Sequence, residues 1–222
     1  MLPIKLSYLL LSLLTFVTAL TMRDTQTSGP VIFLHGKGNT GLSFQTKMKP
    51  FVDDLSTSST CTFLTSPTPG EWWKLKEGER SGQALSYPGY EDSEELVLEA
   101  IRSSNPRALL GQSQGAILLF SMIARGVLRN FKGNIVLNGI QFPKPFACII
   151  TEAEKNCEIM FTGKLLLLIG TNDEISPPAG AMKCYESLSK LCQSVEICEH
   201  DGGHSVPIFD DAASLKIKKH VL

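Results

Sequence analysis

The sequence predicts an α/β protein with one sheet of about six mostly parallel strands between helices on both faces. Two patterns carry this reading. Short β-branched or leucine-rich runs bounded by Gly, Asn or Pro recur from Pro30 onward, and helix-like segments separate them. A third observation sets the scale: 222 residues, 43% hydrophobic and 19% charged, supply one sizeable core and little for a second. In chain order the strands are "VIFL" (31–34), "CTFLT" (61–65), "ALLG" (108–111), "NIVLN" (134–138), "KLLLLIG" (164–170) and "VEICE" (195–199). Helices are expected near 43–54, 91–104, 114–128, 179–192 and 209–220. The Ser/Thr-rich "LSTSSTCT" (55–62) reads as a helix-to-strand loop. Residues 141–163 form an insertion before the fifth strand, too short for a broad cap domain.

A net charge of −1 and a pI near 6.4 give no electrostatic case for nucleic acid or an anionic surface, and the longest basic cluster is "KIKKH". The expected partner is a small molecule. The first twenty residues differ from the rest: Lys5 precedes an apolar run, Leu6–Leu20, and "VTA" at 17–19 offers small residues for cleavage. Residues 1–20 are therefore expected to be a signal peptide, leaving one domain, 28–222, destined for the secretory pathway or the outside of the cell. An uncleaved anchor or part of a signal addressing an organelle is the alternative, and the run is shorter than the ~20 apolar residues of a spanning helix. No later segment reads as transmembrane. Cysteines at 61, 148, 157, 184, 192 and 198 permit disulfides in a secreted chain, and Cys148 with Cys157 would close a short loop. Buried free thiols are the equal alternative, and the spacing fits no zinc-ribbon pattern. There is no N-x-S/T sequon.

In a parallel sheet, reactive residues collect on the loops at the carboxyl ends of the strands. "LLGQSQGAILL" places Ser113 between two glycines where a strand meets a helix, the setting of a strained nucleophile elbow. Small residues at 111 and 115 let strand and helix pass closely and leave the hydroxyl exposed, and the helix N-terminus favours developing negative charge. A serine packed between tight-turn glycines is the bland alternative. An acid is expected next, and "LLLLIGTNDEISPP" ends its strand in Asp173 and Glu174. Asp173 is favoured to orient a histidine, with Glu174 facing solvent. "EICEHDGGHSVP" then offers His200 and His204; Gly202 and Gly203 free His204 to reach the sheet edge, and His200 and His220 read as surface histidines. An oxyanion hole needs two backbone N–H groups. Gln114 supplies one by position, and "VIFLHGKGNTG" offers the amide of Lys37. That loop fits neither GxGxxG nor GxxxxGK[ST], which disfavours a phosphate site.

With "LHGKGNTG", "EWWKL", "YPGYEDSEELVLEAI", "LLGQSQGAILL", "LLIGTNDEISPP" and "HDGGHSVP" in this order, the chain resembles the FSH family of small serine hydrolases within the α/β-hydrolase superfamily. More distantly it is similar to the acyl-protein thioesterase and carboxylesterase group. The resemblance implies an α/β-hydrolase three-layer sandwich without a large lid. It also implies ester or thioester hydrolysis by the triad Ser113, Asp173 and His204, with no metal or organic cofactor. Two features depart from the family: Gln112 stands where an aromatic or other apolar residue is usual, and the N-terminus is signal-like.

The expected chemistry is attack by Ser113 on a carbonyl carbon with His204 as base, followed by hydrolysis of an acyl-enzyme. Trp72 and Trp73 are expected to wall an acyl pocket or to cover the sheet edge. An open groove suits short or medium acyl chains. A lipase or peptidase on the same scaffold, and a noncatalytic binding protein with the same fold, are the rival readings.

Overall fold

The computed structural model describes residues 29–55 and 59–222. The expected signal segment lies outside them. Six strands form one sheet: β1 Val31–Leu34, β2 Cys61–Leu64, β3 Ala108–Gln112, β4 Asn134–Asn138, β5 Phe161–Gly170 and β6 Cys192–His200. Their order is β2-β1-β3-β4-β5-β6, and every neighbouring pair is parallel. Six α-helices are described: α1 Gly41–Leu55, α2 Tyr90–Ser104, α3 Gln114–Ala124, α4 Ala147–Lys155, α5 Pro178–Leu191 and α6 Asp211–Val221. Among the described residues no helix is long and apolar enough to cross a membrane.

The period of two along each strand sorts the apolar side chains into two layers. Val31, Phe33, Ala108 and Leu110 pack with Phe44 and Phe51 of α1 and Ile217 of α6. Their neighbours Ile32, Leu34 and Leu109 pack on the opposite face with Val97 of α2, Ile117 and Phe120 of α3, Ile150 of α4 and Leu188 of α5. Each such burial contributes about 1.5–3 kcal/mol of transfer free energy per large side chain. All eleven residues of α3 are buried, so the helix after Ser113 runs through the centre of its layer.

This topology locates a crevice. After β1 the chain crosses to α1 on one face, whereas after β3 it enters α3 on the other. The loops leaving two adjacent strands therefore diverge at their carboxyl ends. Leu34 pairs with Gly111 in register, so the loops beginning at His35 and Gln112 start side by side.

Three sequence expectations change. The helix after Ser113 ends at Ala124 rather than 128, where Gly126 turns the chain at φ 71°. The insertion 141–163 contains a 3₁₀ turn, Lys144–Phe146, and helix α4. Only Ile150 and Ala153 of α4 are buried, so its apolar stripe is too thin to read as a helix. All six cysteines are free. Cys148 lies in the first turn of α4 and Cys157 just beyond its end, and at 1.5 Å rise per residue the intervening helix holds them about 13 Å apart. A disulfide needs Cα atoms within about 7 Å.

Candidate active site

Ser113 joins β3 to α3 in a backbone conformation, φ 53° and ψ −115°, that a non-glycine residue adopts only when its surroundings enforce it. The enforcement is visible on both sides. The Ser113 amide donates to the Asn138 carbonyl at 2.8 Å, and its own carbonyl accepts from the Ile117 amide at 3.0 Å. A Cβ on Gly111 would lie 2.7 Å from the Gly115 backbone, and one on Gly115 would lie 2.5 Å from the Leu34 carbonyl oxygen. The glycines of the elbow are thus close-approach positions between β1, β3 and α3, as the motif predicts.

On the far side of the crevice, His204 Nδ1 lies 2.8 Å from Asp173 Oδ2. The other carboxylate oxygen, Oδ1, accepts the amides of Ile175 and Ser176, both at 2.8 Å. Asp173 is buried with its oxygens filled by three N–H groups, while Glu174 is exposed. Because the carboxylate accepts, Nδ1 carries the histidine proton and Nε2 is left as the basic nitrogen. Ser113 and His204 line one cavity of about 360 Å³. No direct hydrogen bond joins their side chains among the described residues, a spacing common before substrate arrives.

His204 is also held from behind. Its carbonyl accepts from Asn138 Nδ2 at 3.0 Å and from Gln112 Nε2 at 3.4 Å. Its ring lies on the backbone of Gly139, where a Cβ would come within 2.6 Å of Cε1. Ser176 Oγ donates to the Gly139 carbonyl at 2.8 Å, which ties the acid's loop to the same turn. Gln112 thereby finds a reason that its position in the motif does not supply: an apolar residue there has no donor for the His204 loop. Local sequence assigns no site role to Asn138, Gly139 or Ser176, although Asn138 is a polar residue at a strand's carboxyl end, where the strand-end rule points.

Two of the other three histidines correct an expectation, because neither His200 nor His220 is on the surface. His200 is 4% exposed and its Nδ1 accepts the Gly202 amide at 3.1 Å. His220 is 7% exposed and its Nε2 lies 3.1 Å from the Lys164 carbonyl, fastening α6 to β5. Burial lowers the pKa of both below the ordinary histidine value.

The amides of Lys37 and Gln114 have no hydrogen-bond partner among the described residues. Lys37 lines the cavity with Ser113, and Gly36 packs so closely that a Cβ would meet Ser113 Cβ at 3.1 Å. Gln114 is the first residue of α3, where a helix leaves its N–H unpaired. Of the two readings of Trp72 and Trp73 the pocket wall does not hold: both are 0% exposed and neither lines the Ser113 cavity. Two large indoles on one short loop gain more by entering the core between α2 and α3 than by walling an open groove. Arg80, Ser81, Gln141 and Ile175 line that cavity instead. Among the described residues no three His, Cys, Asp or Glu side chains gather in a metal-like group.

A parallel α/β sheet with a strained serine on the strand-to-helix turn, opposite a histidine–aspartate pair, has the arrangement of an α/β-hydrolase. A family model for "Serine hydrolase (FSH1)" matches residues 25–214, and the chain belongs to that family. It is similar to Esterase CG5412 of Drosophila melanogaster, 27% identical over 197 residues, covering 80% of this chain and 68% of that protein. Esterase GA18864 of Drosophila pseudoobscura pseudoobscura is 28% identical over 80% of this chain and 65% of its own length. The chain thus spans about two thirds of either relative. Among solved structures, Arabidopsis thaliana SOBER1 shares the fold with a TM-score of 0.62 at 17% identity, covering 87% of this chain and 97% of that one. Esterase PE8 does so with a TM-score of 0.63 at 21% identity, covering 88% and 94%.

Proposed function

We propose that this serine hydrolase cleaves carboxylic esters or thioesters through an acyl-enzyme on Ser113. The observation that carries the reading is a strained Ser113 lining one cavity with His204, whose ring is locked by the buried Asp173. His204 Nε2 takes the hydroxyl proton as Ser113 Oγ bonds to the carbonyl carbon. The amides of Lys37 and Gln114 hold the resulting oxyanion. The C–O or C–S bond then breaks, and His204 passes the proton to the departing alcohol or thiol. In the second half, His204 deprotonates a water that attacks the acyl-enzyme, and the proton returns to Ser113 as the acid leaves. Asp173 keeps His204 in the tautomer that both halves require.

Short to medium acyl chains fit the cavity at Ser113. A specific observation also favours a longer, lipase-like substrate: a second cavity of about 650 Å³ adjoins the first across Arg80, Gln141 and Ile175. Together they reach the upper range of small-molecule sites. The secretory destination rests on residues 1–20 alone, and N-terminal sequencing of the mature protein tests it.

The deciding experiment labels the purified protein and Ser113→Ala with a fluorophosphonate, then assays esters and thioesters of increasing acyl length. Labelling of the wild-type protein alone, with turnover at neutral pH, is the expected result. Equal labelling of both proteins, or no turnover of any ester, overturns the assignment.

A further inference from the structure

We propose that Trp72 is a positioning residue that joins the two halves of the oxyanion hole, aiming the Lys37 amide and bracing Gln114 through one buried set of hydrogen bonds. The proposal rests on the ester-hydrolase reading above and on its choice of amides.

The Lys37 N–H shares a peptide plane with the Gly36 carbonyl, and a trans peptide points the two in opposite directions. Whatever grips the Gly36 carbonyl therefore aims the Lys37 N–H. His35 does so through Nδ1 at 2.9 Å, and the Asn39 amide adds a second bond at 3.2 Å. The His35 ring is itself fixed, since its Nε2 accepts the Ser66 amide at 3.2 Å, leaving Nδ1 as the donor. Burial lowers the His35 pKa and keeps the ring neutral, as this dual role demands.

Trp72 fixes the preceding peptide. Its indole Nε1–H donates to the His35 carbonyl at 2.7 Å, and its ring lies 4.9 Å from the His35 ring, centroid to centroid. The backbone of the same residue reaches the other half of the hole. The Trp72 amide donates to Gln114 Oε1 at 3.0 Å, and Gln114 Nε2 donates to the Trp73 carbonyl at 3.3 Å. Ser93 of α2 closes the set by donating to the Trp72 carbonyl. Gln114 thus offers a free backbone N–H to the cavity while its side chain is bonded to the tryptophan loop. One residue touches the loop after β1 and the first residue of α3, the two segments that diverge at the crevice.

Trp73 supplies an internal control. It is equally buried and stacks on Tyr87 at 4.0 Å, but its Nε1 has no hydrogen-bond partner among the described residues. A phenylalanine there removes ring area and no indole hydrogen bond, whereas at 72 it also frees the His35 carbonyl.

The test compares full-length Trp72→Phe and Trp73→Phe by kcat, KM, melting temperature and inhibition by a trifluoromethyl ketone. Such a ketone forms a tetrahedral adduct with serine and carries an oxyanion. Trp72→Phe is expected to lose about ten-fold in kcat and a similar factor in ketone affinity, with KM within about two-fold. Trp73→Phe keeps both while melting at a lower temperature. Gln114→Met retains the backbone donor and the indole bond to His35 but not the brace, and it is expected to lower kcat and ketone affinity in the same direction; it tests the bracing half on its own, and unchanged kinetics in it overturn that half. Equal kinetic losses in the two tryptophan variants, or a KM effect alone, overturn the proposal while leaving the hydrolase reading intact. A wild-type protein that neither labels at Ser113 nor hydrolyses esters removes the hydrolase reading, and this proposal with it.

Discussion

The two sides of the crevice are held by different forces. On the side of β1 and β3, the serine elbow is fused to the core: Gly111 and Gly115 sit against backbone, α3 is buried throughout, and Trp72 bridges to His35. On the side of β4, β5 and β6, His204 stands on a partly exposed loop and is held mainly by polar contacts to Asp173, Asn138 and Gln112. A serine elbow packed into the core thus faces a histidine that a few hydrogen bonds position. Substitutions on the first side should cost stability and rate together, whereas those on the second should cost rate with the fold intact.

The largest effect expected is kinetic and falls on the polar side. His204→Ala should lose at least about a thousand-fold in kcat/KM with little change in melting temperature, while His200→Ala should not approach that loss. Comparable losses in both, measured on the same ester, would mean that the base is misassigned. Gly139→Ala comes next, because its Cβ needs the space now filled by the His204 ring. About a hundred-fold lower kcat is expected with only about 1–2 kcal/mol lost in urea unfolding, the cost of a left-handed alanine. Wild-type kinetics would show that His204 does not need its present place.

On the core side, Gly115→Ala should act in the reverse order. A Cβ 2.5 Å from the Leu34 carbonyl cannot be accommodated without moving β1 or α3. Several kcal/mol of stability, about 2–4, should disappear, and rate should fall with it. A stable, active Gly115→Ala would break the contrast between the two sides. Gln112→Leu is the mildest kinetic change: it removes the longer of two bonds to the His204 carbonyl, so a few-fold lower kcat is expected with Asn138 still in place.

The smallest effect is a pH dependence of stability. His35, His200 and His220 have pKa values lowered by burial from 6.5, so the folded chain binds fewer protons than the unfolded one as pH falls through that value. Their stabilising contribution is complete above 6.5 and is lost toward the lower folded values. The melting temperature should therefore drop between pH 7.5 and 5.5, and His220→Gln should make the slope shallower. An unchanged slope in that variant counts against the assignment.

Much of this arrangement is legible in the sequence. GQSQG between an apolar strand and an apolar helix marks a turn that only small flanking residues allow, and the structure has Ser113 at φ 53° there. The glycines before His204 and the polar residues after β5 likewise announce loops at one edge of a parallel sheet. Helix α4 escaped because a half-exposed helix has little apolar period. The tryptophan pair reads equally as pocket wall or as apolar cover, because a loop's composition does not tell which way its side chains turn.

By itself, then, the chain determined what depends on local spacing: the strands, the elbow, and the order in which Ser113, Asp173 and His204 follow one another on strand-end loops. Tertiary structure alone decided what depends on packing between distant segments. It buried His200 and His220, paired Asp173 with His204, gave Gln112 its partner 92 residues away, and set Trp72 between His35 and Gln114. The physical reason is that a hydrogen bond between segments far apart leaves no periodicity in sequence; it exists only once the sheet has brought their ends together.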